Sequence, residues 1–254
     1  SVYPPKKLIV PPYLVDTKRL RESLSKYYAE ISYMDQQLGE LVDILREMKQ
    51  AENTVILWLS EQGSQLPFGK WTCYDMGIHA AVVVRWPGRI KPGSESAALI
   101  SYVDLVPTFL ELAGGSPDAS SFDGRSFLPV LLGKKQGHHS FVYAVNTTRG
   151  IYHGSEAYGI RAVTDGDWLY IRNLHPGARF QNMVTYRDPI YASWKTVDSD
   201  FARSRVARYA KRPAVELFDL RADPWCLRNL ADDSRLAKRS TEFSRRLAKW
   251  MKQQ

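Results

Sequence analysis

Cysteine is scarce in this chain. Cys73 and Cys226 are the only two, too few for a disulfide framework. Their spacing does not say whether they pair, and two free, small, apolar side chains are the simpler expectation. Long hydrophobic runs are missing as well. None approaches the roughly 20 residues of a membrane-spanning helix, so no membrane anchor is expected. The chain opens Ser1-Val-Tyr-Pro-Pro-Lys-Lys, without an initiator methionine or the basic-then-apolar segment of a secretion signal. We expect it to begin in the middle of a longer protein.

Positive charge is in excess. The net charge is +8 and the pI about 9.4, which favours polyanionic partners. No zinc-finger spacing, helix-turn-helix pattern or aromatic RNA-binding signature accompanies it, so nucleic acid is not the expected partner. The densest cations are Arg203, Arg205, Arg208, Lys211 and Arg212. Such a run is either an array that gathers an anionic chain or a solvated face. With 254 residues, 44% of them hydrophobic, the chain can bury a substantial core.

Periodicity orders the elements. After a proline-rich start, Thr17 is an N-cap for a helix running to about Gln50. Its buried face would carry Leu24, Tyr27, Tyr28, Ile31, Met34, Leu38, Leu41, Leu45 and Met48. The apolar runs Thr54 to Leu59 and Ala80 to Trp86 read as strands, and Ser101 to Ala113 as a helix. Helix, strand, loop, strand is the order of an α/β unit with a mostly parallel sheet and covering helices. Turn-rich sequence after Gly114 puts a boundary near residue 135. Beyond it, short strands at Phe141 to Val145, Tyr158 to Thr164 and Trp168 to Arg172, with an Asp165-Gly166 turn, predict a small antiparallel sheet. An amphipathic helix from about Asp233 to Lys252 would pack on it through Phe243, Leu247 and Trp250. Residues 1–135 thus form an α/β part and 136–254 an α+β part.

The chemistry concentrates where the first strand stops. Ser60-Glu61-Gln62-Gly63 puts a carboxylate and an amide oxygen at the C-terminal edge of a strand, where ligands bind in open α/β sheets. These are hard donors suited to Ca²⁺ or Mg²⁺ and poor ones for zinc. Lys70, on the same loop, is either a surface lysine or a point charge for a sulfate or phosphate oxygen.

Five stretches in order resemble the C-terminal half of a formylglycine-dependent (type I) sulfatase, of the alkaline-phosphatase-like superfamily. They are Tyr27 to Asp35 with Gly39, Asn53 to Gly63, Gly77 to Gly88, Tyr102 to Thr108, and Glu216-Leu-Phe-Asp-Leu220 with Asp223-Pro224 and Asn229-Leu-Ala231. The runs Asn146 to Arg161, Trp168 to Leu174 and Arg187 to Trp194 resemble more narrowly the heparan N-sulfatase (sulfamidase) branch.

The resemblance implies that Glu61 and Gln62 bind Ca²⁺ where the family usually has Asp-His or Asp-Asn, and that Lys70 contacts the sulfate group. His79 falls where many sulfatases have arginine. The resemblance also implies that His153, Glu156 and Arg161 approach a sulfated saccharide, N- or O-sulfated. A periplasmic, secreted or lysosomal location would follow, with no targeting signal here to choose among them.

The family's nucleophile, a formylglycine made within a Cys/Ser-x-Pro/Ala-x-Arg motif, is expected in the missing N-terminal half. Neither cysteine here has that context. The chain alone is therefore expected to be inactive, since covalent transfer would lack its attacking oxygen. Two other readings remain open: a non-catalytic module that binds sulfated glycans, and a phosphatase or phosphodiesterase of the same superfamily.

Overall fold

The computed structural model describes residues 2–118, 120–148, 150–151, 153–155 and 158–253. Helix α1 (Lys18–Glu47) starts where expected, with Thr17 Oγ1 accepting from the Leu20 amide at 3.1 Å. Strand β1 (Ile56–Leu59) leads through a long loop and the short helix α2 (Asp75–Ile78) to β2 (Val82–Arg85). Helices α3 (Leu105–Leu112) and α4 (Leu128–Leu131) follow. Strands β3 (Val142–Thr147), β4 (Gly159–Thr164) and β5 (Trp168–Asn173) come next. Helices α5 (Pro189–Trp194) and α6 (Asp200–Ala210), strand β6 (Val215–Asp219) and helix α7 (Ala237–Met251) complete the order.

Strands β3 to β6 form an antiparallel sheet in the order β3-β4-β5-β6. The Asp165-Gly166 turn joins β4 to β5, and Gly166 there has φ 91°, a conformation glycine adopts without steric cost. Phe243 and Leu247 of α7 are buried against Val163, Trp168, Tyr170 and Leu217, with Trp250 at the margin. Strand β6 was read in sequence only as a motif, and Glu216 within it is fully buried. The Glu216 carboxylate accepts from the Tyr74 hydroxyl at 2.8 Å and from Asn173 Nδ2 at 3.0 Å, tying the β1–α2 loop to the sheet.

The larger core crosses residue 135. It joins Leu14, Leu20, Phe68 and Tyr74 to Ile160, Ile171, Trp194 and Tyr209. The elements before residue 135 are less covered. Strands β1 and β2 pair antiparallel, Ile56 opposite Arg85 and Leu59 opposite Val82, so this pair does not carry the parallel character of the expected sheet. Only Leu20, Leu24 and Ser25 of α1 are buried.

The expectation that the apolar stripe of α1 is core is corrected along most of its length. Tyr27, Ile31, Met34, Leu41 and Met48 are exposed, Met48 to 62%. Val106 and Phe109 of α3 are exposed as well, at 59% and 47%. Helical periodicity locates an apolar face, but the element that covers it lies elsewhere in sequence.

The basic cluster also differs from either expectation. Arg205 and Arg212 are both 2% exposed. Arg205 Cζ lies 3.6 Å from the Phe68 ring centroid and Arg212 Cζ 3.8 Å from that of Phe180. Arg208 donates to the Leu227 carbonyl and stands 3.8 Å from Glu216, while Arg203 pairs with Asp198 and Asp200. Arg205 and Arg212 turn inward onto aromatic rings, while Arg203 is held by carboxylates and Lys211 is exposed, so the five cations do not form one array for an anionic chain.

Candidate functional site

The loop after β1 is held by close backbone contacts. The Ser60 amide donates to the Ala81 carbonyl at 3.0 Å, and Ser60 Oγ accepts from the Ala81 amide at 2.9 Å, locking the strand end to its neighbour. The Tyr102 hydroxyl donates to the Ser60 carbonyl from the other side. Gly63 then passes against α2: its amide donates to the Gly77 carbonyl at 3.1 Å, and a Cβ at Gly63 would lie 1.7 Å from the Met76 carbonyl oxygen. Only glycine fits that approach.

The chain then doubles back. The Lys70 amide donates to the Ser64 carbonyl at 2.8 Å. The anchor is Phe68, 1% exposed and held with φ 71°. Its ring packs on Tyr74 and Trp194, edge-on to Tyr209, and under the Arg205 guanidinium. Thr72 Oγ1 lies within hydrogen-bond reach of both the Phe68 and Gly69 carbonyls.

Closing the loop this way brings together two of the residues singled out in the sequence. Lys70 Nζ lies 3.9 Å from Glu61 Oε2 and 4.9 Å from the Trp71 ring centroid. Glu61 is exposed, with its side chain 82% accessible. Gln62 is half-buried beside it. Both line an open cleft of about 710 Å³. Trp71, His79, Tyr102 and Asn146 also line that cleft and were not assigned to a site from the sequence. Trp71 follows Lys70 on the loop and His79 ends α2, whereas Tyr102 and Asn146 reach the cleft from the turn before α3 and from β3. His79 Nδ1 stands 3.2 Å from Asp75 Oδ2, and this contact raises its pKa.

His153 and Arg161 fall outside the lining of this cleft. His153 has φ 54° and stacks on Tyr186 with ring centroids 3.8 Å apart. Arg161 Nη1 donates to the carbonyls of Asn146 at 3.3 Å and Ile160 at 2.9 Å. Glu156 lies outside the described residues. Cys73 and Cys226 are free and buried, and burial pushes the Cys73 thiol up to about 12.

The donor set at the strand end fits a hard cation: a carboxylate reaching into solvent, an amide oxygen beside it, and no soft donor on the loop between Glu61 and Lys70. Two oxygens are a fraction of the six to eight that Ca²⁺ takes. A site built on Glu61 and Gln62 needs further ligands.

The sulfatase family profile matches residues 5–116. Residues 63–174 match the profile of the C-terminal portion of N-sulphoglucosamine sulphohydrolase. An ulvan-active sulfatase of Formosa agariphila is 32% identical over 90% of this chain and 43% of its own length. Human N-sulphoglucosamine sulphohydrolase is 26% identical over 98% of this chain and 52% of its own. The chain thus spans about half the length of these relatives.

Among solved structures, a 2-O glycosaminoglycan sulfatase superposes with a TM-score of 0.71 at 18% identity, over 95% of this chain and 45% of that one. A protein in complex with its substrate D-glucosamine-2-N,6-O-disulfate superposes at 0.67 and 22% identity, over 94% and 43%. At these identities the likeness is one of fold, the alkaline-phosphatase-like fold of sulfatases.

Proposed function

We propose that this chain is the C-terminal portion of a sulfatase that hydrolyses sulfate, N- or O-linked, from a sulfated sugar or glycosaminoglycan. The observation that carries the reading is the closure of the β1–α2 loop, which sets Lys70 3.9 Å from Glu61, a residue that lines the cleft. Glu61 and Gln62 would hold Ca²⁺ through oxygen, and Lys70 would place its ammonium on a sulfate oxygen. Bound calcium supplies positive charge for a sulfuryl group, and a formylglycine from the N-terminal half supplies the attacking oxygen.

The roles of this chain's own residues follow from their positions. Lys70, with its side chain 23% exposed, holds its charge at a fixed point, so it need not reorganise as negative charge grows on the sulfate. The cleft wall formed by Trp71 and Tyr102 would bound the sugar. The exposed apolar stripes of α1 and α3 are surfaces for the N-terminal half, whether in the same polypeptide or a separate chain. The glycan-binding alternative has little support, because all but Lys211 of the five cations it would use are buried or paired.

The test is sulfate release by the protein carrying this chain together with its N-terminal half, offered N-sulfated and O-sulfated glucosamine. Turnover of either sugar, lost on Lys70→Ala by about 10²-fold or more, supports the reading. Folded protein that releases phosphate but no sulfate from paired esters would overturn it.

A further inference from the structure

Away from the cleft, Asp104, His138 and His139 converge between the N-terminus of α3 and the segment that enters β3. Their ligand-type atoms all lie within 4.8 Å of one another. His139 Nε2 is 2.9 Å from Asp104 Oδ2, and His138 Nε2 is 3.4 Å from the same oxygen. Asp104 is fully buried, the His138 side chain is 6% exposed and that of His139 is 23% exposed. We propose that these three residues form a site for a borderline divalent transition-metal ion, of which Zn²⁺ is the natural representative.

Three observations carry this. The first is that His138 Nε2 is buried and makes no well-formed hydrogen bond, its contact with the Asp104 carboxylate being long at 3.4 Å. A buried ring nitrogen so weakly partnered is costly, and a shared cation would satisfy it.

The second is the spacing. Ligands at about 2.0–2.1 Å from a tetrahedral Zn²⁺ lie about 3.3 Å apart, close to the 3.4 Å between His138 Nε2 and Asp104 Oδ2. The 2.9 Å contact of His139 would open by a few tenths of an ångström when the ion replaces its proton.

The third is that the carboxylate is already oriented by other groups. The Ser101 amide donates to Asp104 Oδ2 at 2.7 Å and the Arg125 amide to Oδ1 at 2.9 Å. Outer-shell bonds of this kind fix a ligand's direction. The Arg125 guanidinium donates to the His138 carbonyl.

Two imidazoles and a carboxylate suit Zn²⁺ or its neighbours and not Ca²⁺, so the ion would differ in kind from one held by Glu61 and Gln62. With His139 partly exposed, a water would take the fourth position. The ion would join the cap of α3 to the entry of β3, where the His139 amide already donates to the Leu99 carbonyl at 3.1 Å. Leu99 lines the cleft, so the site would brace the cleft's wall. This inference does not rest on the sulfatase reading.

The experiment is metal analysis and Co²⁺ spectroscopy on the protein carrying this chain at full length, stripped with a chelator and reloaded with Zn²⁺ or Co²⁺ alone. Expected are one retained equivalent, visible Co²⁺ ligand-field bands of a four-coordinate nitrogen and oxygen site, and a rise in Tm of the unsubstituted protein with Zn²⁺. H138Q and H139Q should each weaken binding by about 10-fold or more, whereas H79Q should not. Folded protein that retains no ion, or Zn²⁺ retention and Co²⁺ bands unchanged in the H138Q/H139Q double variant, would overturn the proposal.

Discussion

The Phe68 ring lies 3.6 Å beneath the Arg205 guanidinium, and through that contact a helix late in the chain holds the loop that carries Lys70. Both partners are buried, and burial pulls the Arg205 pKa down to about 10. Phe68→Ala removes a fully packed aromatic side chain and should cost about 3–5 kcal/mol of stability. Activity should also fall below what the loss of folded protein explains, because Lys70 is two residues away. Chemical denaturation alongside turnover per folded molecule separates the two effects. Equal turnover per folded molecule would show that the anchor does not position Lys70.

Gly63 sets the direction in which the chain leaves Glu61 and Gln62. A Cβ there meets backbone, Met76 O at 1.7 Å, and backbone cannot yield as a flexible side chain can. Gly63→Ala should therefore destabilise by about 3 kcal/mol or more and displace the loop. Thermal unfolding checks this, with Gly39→Ala as the control, since a Cβ at Gly39 meets nothing within 4 Å. Equal Tm values for the two variants would contradict the packing described.

Burial raises both cysteine pKa values, that of Cys73 from 9.0 to about 12. A thiol-reactive disulfide at pH 8 should label neither residue in the folded protein and both in denaturant. The linkage has a definite sign. The folded state disfavours the thiolate, so this contribution to stability is intact below pH 9 and is lost as pH rises from 9 towards 12. Rapid labelling of native protein would contradict the burial.

Much of this was legible in the sequence, and the remainder shares one physical cause. Thr17 capped its helix, Asp165-Gly166 made its turn, and Phe243 and Leu247 packed on the sheet, because local patterns decide each of these. Glu61, Gln62 and Lys70 could be singled out since they follow a strand within one loop, and Trp71 beside Lys70 was overlooked there. Tyr102 and Asn146 could not be, because the cleft assembles them from separate elements. Arg205, Arg208 and Arg212 were misread because their partners, Phe68, Glu216 and Phe180, are distant in sequence. The apolar stripe of α1 was correctly located and wrongly taken as covered, since periodicity says nothing about what packs on a face.

That stripe gives its own prediction. This chain produced alone should bind a hydrophobic dye and exchange its α1 and α3 amides quickly, because Met48 and Val106 are exposed. Adding the N-terminal half should protect both helices and abolish dye binding. Protection in the isolated chain equal to that in the complete protein would mean that these faces have no such partner.

The most direct test of the central claim is the calcium dependence of sulfate release by the complete protein, compared among the unsubstituted form, Glu61→Ala and Glu61→Asp. Glu61→Ala should reduce turnover by about 10²-fold or more and raise the calcium needed for half-maximal rate, while Glu61→Asp, which keeps the carboxylate, should retain most activity. A folded Glu61→Ala variant with the same rate and the same calcium dependence as the unsubstituted protein would contradict the assignment of Glu61 as a metal ligand.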